Sequence, residues 1–110
     1  MQIKSKVWLE KDNELIFGEG RAELLKAIDK TGSINKAASE MGISFRHGWS
    51  YITAIERRLG VKLIERTKGG RGGGGSRLTP EAKDLVKKLV KLKSAVNRFT
   101  DKKFKEIFDA

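Results

Sequence analysis

The chain has 110 residues, enough for one compact domain with one core, and a formal net charge of +10, which is typical of proteins that meet polyanions. It has no cysteine, which excludes disulfides and thiolate metal sites and favours a reducing compartment. The apolar runs are short and the first residues lack a signal-peptide pattern, so we expect a cytoplasmic protein with no membrane span. We also expect no cofactor and no metal.

The positive charge is unevenly distributed along the chain. Residues 1–40 hold 7 basic and 7 acidic side chains, residues 41–80 hold 8 and 2, and residues 81–110 hold 9 and 5. The excess therefore begins in the middle third. Composition alone also allows a solvated basic surface on a highly charged, heat-adapted protein.

The N-terminal third predicts a hairpin followed by a helix. Residues 3–9 and 14–17 alternate apolar and polar positions, and the polar residues 11–13 lie between them. That alternation predicts two short β-strands joined by a turn. A helix is expected over roughly 19–31, with Gly32 as its left-handed C-terminal stop.

Residues 32–60 have the pattern of a helix–turn–helix. Ser33 is a good N-cap for a helix over about 34–41, in which two adjacent alanines allow a crossing helix to approach closely. Gly42 permits the sharp turn that follows. A further helix is expected over about 45–59.

This further helix separates into two sides at 100° per residue. We expect the apolar side to pack inward with Phe45, Gly48, Trp49, Ile52, Ile55 and Leu59. The other side carries Arg46, His47, Ser50, Ala54, Arg57 and Arg58, with Tyr51 and Thr53 at the borders. Glu56 falls on the apolar side, where we expect it to pair with a nearby cation. An ordinary amphipathic helix with a solvated basic face is the alternative, which the Gly42 turn and the alanine-rich helix disfavour.

A glycine-rich basic segment follows the helix–turn–helix. Residues 61–66 predict a strand and residues 77–79 a returning strand, and the loop between them holds six glycines. Such a loop has little stiffness, and it lets backbone amides approach a surface closely. Lys68, Arg71 and Arg77 give this wing its charge. It is not a phosphate-binding P-loop, because the Gly-Lys-Ser/Thr ending that opens a helix is missing.

The C-terminal segment predicts one long amphipathic helix. Thr79 as N-cap and Pro80 in the first turn are strong start signals, and the helix is expected to end near residue 99. A short terminal helix is expected after Thr100 and Asp101. Because the apolar face exceeds what so small a core needs, we expect it to join two copies in a homodimer. The residues expected at that dimer contact are Leu85, Leu89, Leu92, Val96 and Phe99.

These elements predict a mainly α fold with a small β content. The architecture is a winged helix–turn–helix with an N-terminal β-hairpin, a three-helix core, a two-stranded glycine-rich wing and a long C-terminal dimerisation helix. We assign residues 1–79 to a DNA-binding domain and residues 80–110 to dimerisation.

Three segments carry a family resemblance: GSINKAASEMGIS, GVKLIER and KGGRGGGGSRLTPEAKDLV. They resemble the N-terminal DNA-binding domain of the ModE family of molybdate-responsive regulators and, more distantly, the winged helix of LysR-type regulators. The resemblance covers about residues 5–100 and implies a dimeric regulator of transcription. ModE proteins continue into oxyanion-binding domains, whereas this chain stops near the end of the linker helix. We therefore expect a stand-alone domain without a molybdate or tungstate site.

The hypothesis that the chain binds DNA assigns roles to individual side chains. The N-terminal residues of the recognition helix meet base edges, which makes Arg46, His47 and Ser50 the expected base contacts. Phosphate contacts are expected from Lys36, Tyr51, Thr53, Arg57, Arg58, Lys68 and Arg77. Arg71 is the candidate for a narrow minor groove. A dimer should recognise a palindromic operator in double-stranded DNA.

Three other classes of function compete with DNA binding. An RNA-binding protein is suggested by Arg71-Gly72-Gly73, which resembles one RGG element, although such elements normally occur as repeats. A protein-interaction module would use the basic face and the C-terminal helix without DNA. An enzyme is the least expected class, because the chain has one His, no Cys and no carboxylates arranged with a nucleophile.

Overall fold

The computed structural model describes residues 1–70 and 73–109. It confirms the predicted fold class, with helices and two antiparallel two-stranded sheets. The elements in chain order are β1 (Leu9–Lys11), β2 (Glu14–Phe17), α1 (Glu19–Thr31), α2 (Ile34–Glu40), α3 (Phe45–Leu59), β3 (Ile64–Gly70), β4 (Gly73–Leu78) and α4 (Pro80–Phe108). No helix in these two ranges is long and apolar enough to cross a membrane.

The N-terminal hairpin is present, but its first strand is much shorter than predicted. Asp12 and Asn13 both have positive φ, 53° and 63°, as a tight two-residue hairpin turn requires. The pairing shifts register between Leu9 and Glu10, and residues 1–8 form no regular element. The chain instead follows α4, where the Ser5 hydroxyl donates to Asn97 Oδ1 at 2.6 Å. The prediction of a strand over residues 3–9 was therefore wrong for most of its length.

The helix–turn–helix forms where the sequence predicts it. Ser33 Oγ accepts a hydrogen bond from Lys36 N at 3.1 Å, which caps α2. Gly42, with φ of 72°, makes the turn before α3. Ala38 is fully buried, and a Cβ added at Gly48 would lie 3.5 Å from the Ala38 Cβ, so α2 and α3 cross at close range. The largest fully buried side chains are Phe17, Leu24, Leu25, Ile28, Ile52, Ile55 and Leu63.

The two strands of the wing pair with each other further into the glycine-rich segment than the sequence predicted. Its strands pair from Ile64 opposite Leu78 to Thr67 opposite Gly75, so part of the glycine tract belongs to a strand. Ser76 N donates to the carbonyl of Gly32 at 2.8 Å, which joins β4 to the end of α1. The expected loop was therefore too long, because Thr67 pairs with Gly75 and Gly70 with Gly73 inside it.

The C-terminal helix runs without a break from Pro80 to Phe108. The prediction of a break near Thr100 was wrong, because its hydroxyl donates to Val96 O at 2.8 Å within the helix instead of capping a new one. At the other end, the Thr79 hydroxyl accepts from Ala82 N at 3.1 Å and donates to Lys62 O at 2.7 Å. This hydroxyl both caps α4 and ties it to the wing.

Gly75 is expected to be intolerant of a side chain. A Cβ there would lie 2.8 Å from Gly32 O and 3.0 Å from Thr67 Oγ1. We expect Gly75→Ala to lower the free energy of unfolding by about 1–3 kcal/mol, as overpacking does. Urea unfolding followed by circular dichroism measures this change.

Gly20→Ala is the matched control, because it lies in α1 and a Cβ there meets nothing within 4 Å. It should be neutral or stabilising by up to about 1 kcal/mol. Equal effects of the two substitutions would contradict the close approach of the wing to Gly32.

Candidate nucleic-acid interface

The exposed start of α3 brings the three predicted base-contacting residues together. Ser44 Oγ accepts from His47 N at 3.0 Å, so the first turn of the helix is capped. Arg46, His47 and Ser50 are all exposed. Arg46 makes no ion pair with the described residues, so its guanidinium is available to a ligand.

The hydroxyls on this face already use their protons inside the helix. Ser50 Oγ donates to His47 O at 3.1 Å, and Thr53 Oγ1 donates to Ser50 O at 3.1 Å. The lone pairs of both oxygens remain for an incoming donor. Ser50 therefore faces solvent as an acceptor, which suits the amino group of adenine or cytosine in the major groove.

On the side of α3 that faces α1, His47 lies against a half-buried aromatic ring. The His47 and Tyr51 rings are 5.5 Å apart at a tilt of 41°. The Arg21 guanidinium lies 4.8 Å from the centroid of the Tyr51 ring, and Arg21 Nη1 donates to Leu15 O at 3.0 Å. Burial, and next the charge of Arg58, lower the pKa of Arg21, which stays charged at neutral pH. Tyr51 thus connects His47 to the core.

The two adjacent arginines at the end of α3 have different environments. The Arg58 side chain is 22% exposed; its Nε lies 2.6 Å from Glu14 Oε2, and its Nη1 donates to Leu15 O. Arg58 therefore holds β2 against α3, and its guanidinium is not open to a phosphate as the sequence suggested. Arg57 is exposed and makes no ion pair with the described residues.

Glu56 has a backbone partner instead of the predicted cation. Its Oε2 accepts from Leu63 N at 2.8 Å, so the carboxylate joins α3 to the segment before β3. Sequence periodicity placed Glu56 on the apolar side correctly, but it could not show that a backbone amide from the next element meets it there. The carboxylate is thereby held away from the basic face.

On the side of α3 that faces the wing, the structure places a group that the sequence did not predict. Phe45 is 44% exposed, although the helical pattern placed it in the core. Its ring is parallel to that of half-buried Trp49, with centroids 6.5 Å apart. The Arg66 guanidinium lies 5.8 Å from the Trp49 centroid, within the range of a cation–π contact. We call Phe45, Trp49 and Arg66 the aromatic flank.

Arg66 was not among the residues predicted to contact DNA. It lies opposite Ser76, two residues from buried Ile64 and therefore on the same face of the wing. Strand alternation could have shown that Arg66 points toward the recognition helix and not away from it.

The remaining predicted phosphate contacts are distributed around α3. Lys36 is exposed on α2, and Thr53 is half-buried. Arg77 is exposed on β4, where its Nε lies 3.0 Å from Glu65 Oε2. The side chain of Lys68 and the whole of Arg71 lie outside the described residues. Within the described residues, no group of His, Asp and Glu side chains could hold a metal ion.

Known proteins are similar in sequence to more than half of this chain. The ModE molybdenum transport protein of Herbaspirillum seropedicae is 48% identical over 63 residues, which are 57% of this chain and 23% of that protein. The DNA-binding transcriptional dual regulator ModE of Escherichia coli (strain K12) is 35% identical over 86 residues, 78% of this chain and 33% of that protein. The chain thus spans about a quarter to a third of the length of these curated relatives.

Solved structures show the same fold. The complex of the CbnR DNA-binding domain with DNA superposes with a TM-score of 0.58 at 22% identity, covering 76% of this chain and 90% of that one. The complex of the BenM DNA-binding domain with benA site 1 DNA gives 0.56 at 26% identity, covering 73% and 87%.

The family model that matches this chain extends beyond the helix–turn–helix itself. It describes a bacterial regulatory helix-turn-helix protein of the lysR family and matches residues 21–83, from α1 to the first turn of α4. The sequence resemblance to LysR-type and ModE regulators is confirmed. The chain belongs to the lysR family of bacterial regulatory helix-turn-helix proteins.

Proposed function

We propose that this chain binds double-stranded DNA sequence-specifically and regulates transcription as a homodimer, without enzymatic activity and in the cytoplasm. The observation that carries the proposal is the exposed basic side of α3, where Arg46 and Arg57 make no ion pair with the described residues. Their charges contribute nothing visible to the fold, whereas they suit a polyanion. The name of the Escherichia coli relative and the DNA in the CbnR and BenM complexes support the same partner.

In this proposal, α3 enters the major groove with its capped N-terminus toward the bases. Arg46 donates two hydrogen bonds to guanine O6 and N7, the commonest specific contact in protein–DNA complexes. Ser50 accepts from a base amino group, and His47 donates or accepts according to its tautomer. These three residues provide sequence preference.

Phosphate contacts surround the groove and fix the register of the helix. This set contains Lys36, Thr53, Arg57 and the hydroxyl of Tyr51. It also contains Arg77, which would leave its exposed ion pair with Glu65 to bind a phosphate. We retain Lys68 and Arg71 of the wing as the candidates for the backbone and the minor groove. Arg58 is left out, because Glu14 and the Leu15 carbonyl already occupy its guanidinium.

The proposed homodimer uses the exposed apolar side of α4, and residues 80–110 keep the dimerisation role assigned from the sequence. Leu92 and Phe99 are 44% and 63% exposed and lie seven residues apart, so they share one side of the helix. Leu85 and Val96 are half-buried beside them. Leu89 is only 8% exposed and packs in the chain's own core, so we remove it from the dimer contact.

Selection from random duplexes by the purified protein is the general test. A dimer with one α3 per half-site should select a palindrome whose half-sites are separated by about 34 Å, one helical turn. Binding to a single-stranded RNA of equal length that matched or exceeded binding to the selected duplex would replace DNA with RNA as the partner.

Arg46→Ala should reduce sequence preference. Loss of a bidentate contact to guanine costs about 1–3 kcal/mol of discrimination, while most of the non-specific affinity remains. Fluorescence anisotropy with the selected and a scrambled duplex measures both quantities. Unchanged preference in Arg46→Ala would show that this side chain does not read a base.

Arg57 and Arg58 form a matched pair for testing phosphate contact. Arg57→Ala should reduce the slope of log K against log salt by about 0.9 and leave stability nearly unchanged, since it neutralises one phosphate. Arg58→Ala should leave the slope nearly unchanged and lower the free energy of unfolding by about 1–2 kcal/mol, because it loses a charged bond to backbone. The reverse pattern would overturn the division of roles.

Leu92→Glu should convert the dimer to monomer, because it places a charge in the apolar contact between two copies of α4. Ser94→Glu is the control, since Ser94 is exposed two residues away and the charge change is the same. Sedimentation velocity measures the oligomeric state of both variants. A dimer that survives Leu92→Glu would place the interface elsewhere.

A further inference from the structure

Phe45 is an exposed aromatic residue at the position where the recognition helix begins. It lies two helical turns before Ile52, which is 1% exposed, so both side chains start from the same side of α3. The Phe45 ring is nevertheless 44% exposed, because the first turn extends beyond the core that covers Ile52. This apolar ring is left in water at the start of the helix that we propose enters DNA, so it is available to contact a partner there.

The exposed ring is held in place by its neighbours. It is parallel to Trp49 within 3°, and Trp49 both packs against the core and contacts the Arg66 guanidinium. Phe45 and Arg66 also line a cleft of about 160 Å³ with Asn35, between the start of α2 and the wing. The side chain is therefore presented in a fixed orientation before any ligand arrives, which lowers the entropic cost of using it.

We propose that Phe45 is a specificity-determining residue that packs on the C5-methyl group of a thymine in the major groove. Thymine is the one base whose major-groove edge carries a methyl group, and an aromatic ring is a suitable apolar partner for it. Phe45 immediately precedes Arg46, so the thymine lies next to the base pair that Arg46 contacts. The inference rests on the proposed function, because it requires α3 to occupy the major groove.

The aromatic ring also discriminates against the other bases. The edges of cytosine and adenine present amino donors, and guanine presents acceptors, none of which Phe45 can satisfy. A polar edge pressed against the ring would lose its water without gaining a hydrogen bond. Phe45 thus favours thymine through an apolar contact with its methyl group. It disfavours the other three bases because their polar edges would lose water against an uncharged ring.

The test removes the methyl group from the DNA and the ring from the protein. In the selected duplex, each thymine is replaced in turn by deoxyuridine, which differs only in lacking the C5-methyl group. For the wild type, one position per half-site should lose about threefold to fivefold in affinity, the effect of one buried methyl group. Phe45→Ala should bind the thymine and deoxyuridine duplexes equally, and Phe45→Leu should recover part of the difference.

Trp8→Ala is the matched control, because Trp8 is 51% exposed just before β1, where its indole Nε1 donates to Glu10 and not to a residue of α3. It should keep the full difference between thymine and deoxyuridine. Since the deoxyuridine series can be read on the wild type alone, the test does not depend on the fold of Phe45→Ala.

The outcomes separate this inference from the proposed function. If no deoxyuridine position matters, or if the difference survives in Phe45→Ala, the role of Phe45 is overturned while salt-dependent duplex binding still supports DNA recognition. If no duplex binds the wild type, the proposed function itself fails. If Phe45→Ala instead changes the oligomeric state in sedimentation, the ring belongs to a protein contact and the thymine proposal is overturned.

Discussion

A backbone contact between the end of α1 and the second strand of the wing determines the arrangement of the candidate interface. Gly32 ends α1 with φ of 73°, and its carbonyl accepts from Ser76 N at 2.8 Å. The contact is so close that position 75 has no space for a Cβ. Because Ser33, the N-cap of α2, follows Gly32, the same short segment joins the helix–turn–helix to the base of the wing. The aromatic flank lies where these two units meet, since Phe45 and Trp49 belong to α3 and Arg66 to the wing.

Some charged side chains of α3 stabilise the fold and others are exposed to solvent, and the two kinds alternate along the helix. Arg58 and Glu56 bind β2 and Leu63 N respectively, whereas Arg57 between them is exposed. Successive residues on a helix point about 100° apart, so neighbours with the same charge can face the core side and the solvent side. A count of positive charges therefore overstates what this helix can offer to DNA.

The parts of the fold that sequence predicted well are those that local chemistry determines. Ser33, Gly42 and Ser44 act on their own helix ends, so the boundaries of the helix–turn–helix followed from the sequence. The errors arose where distant segments meet, as when Ser5 bonds Asn97 of α4 in the part of the chain that was predicted to be a strand. Helical periodicity gave the direction of Phe45 correctly, but it could not show where the core beneath the helix ends.

Affinity and specificity place different demands on the basic face. A chain with a net charge of +10 gains affinity for any duplex through counterion release, and each further cation strengthens specific and random binding alike. Discrimination has to come from contacts that differ between bases, and neutral groups make such contacts without raising the affinity for random DNA. Ser50 and the ring of Phe45 are groups of this kind at the start of α3, on either side of Arg46. In this arrangement Ser50 and Phe45 add to the sequence preference that Arg46 provides, without adding affinity for random DNA.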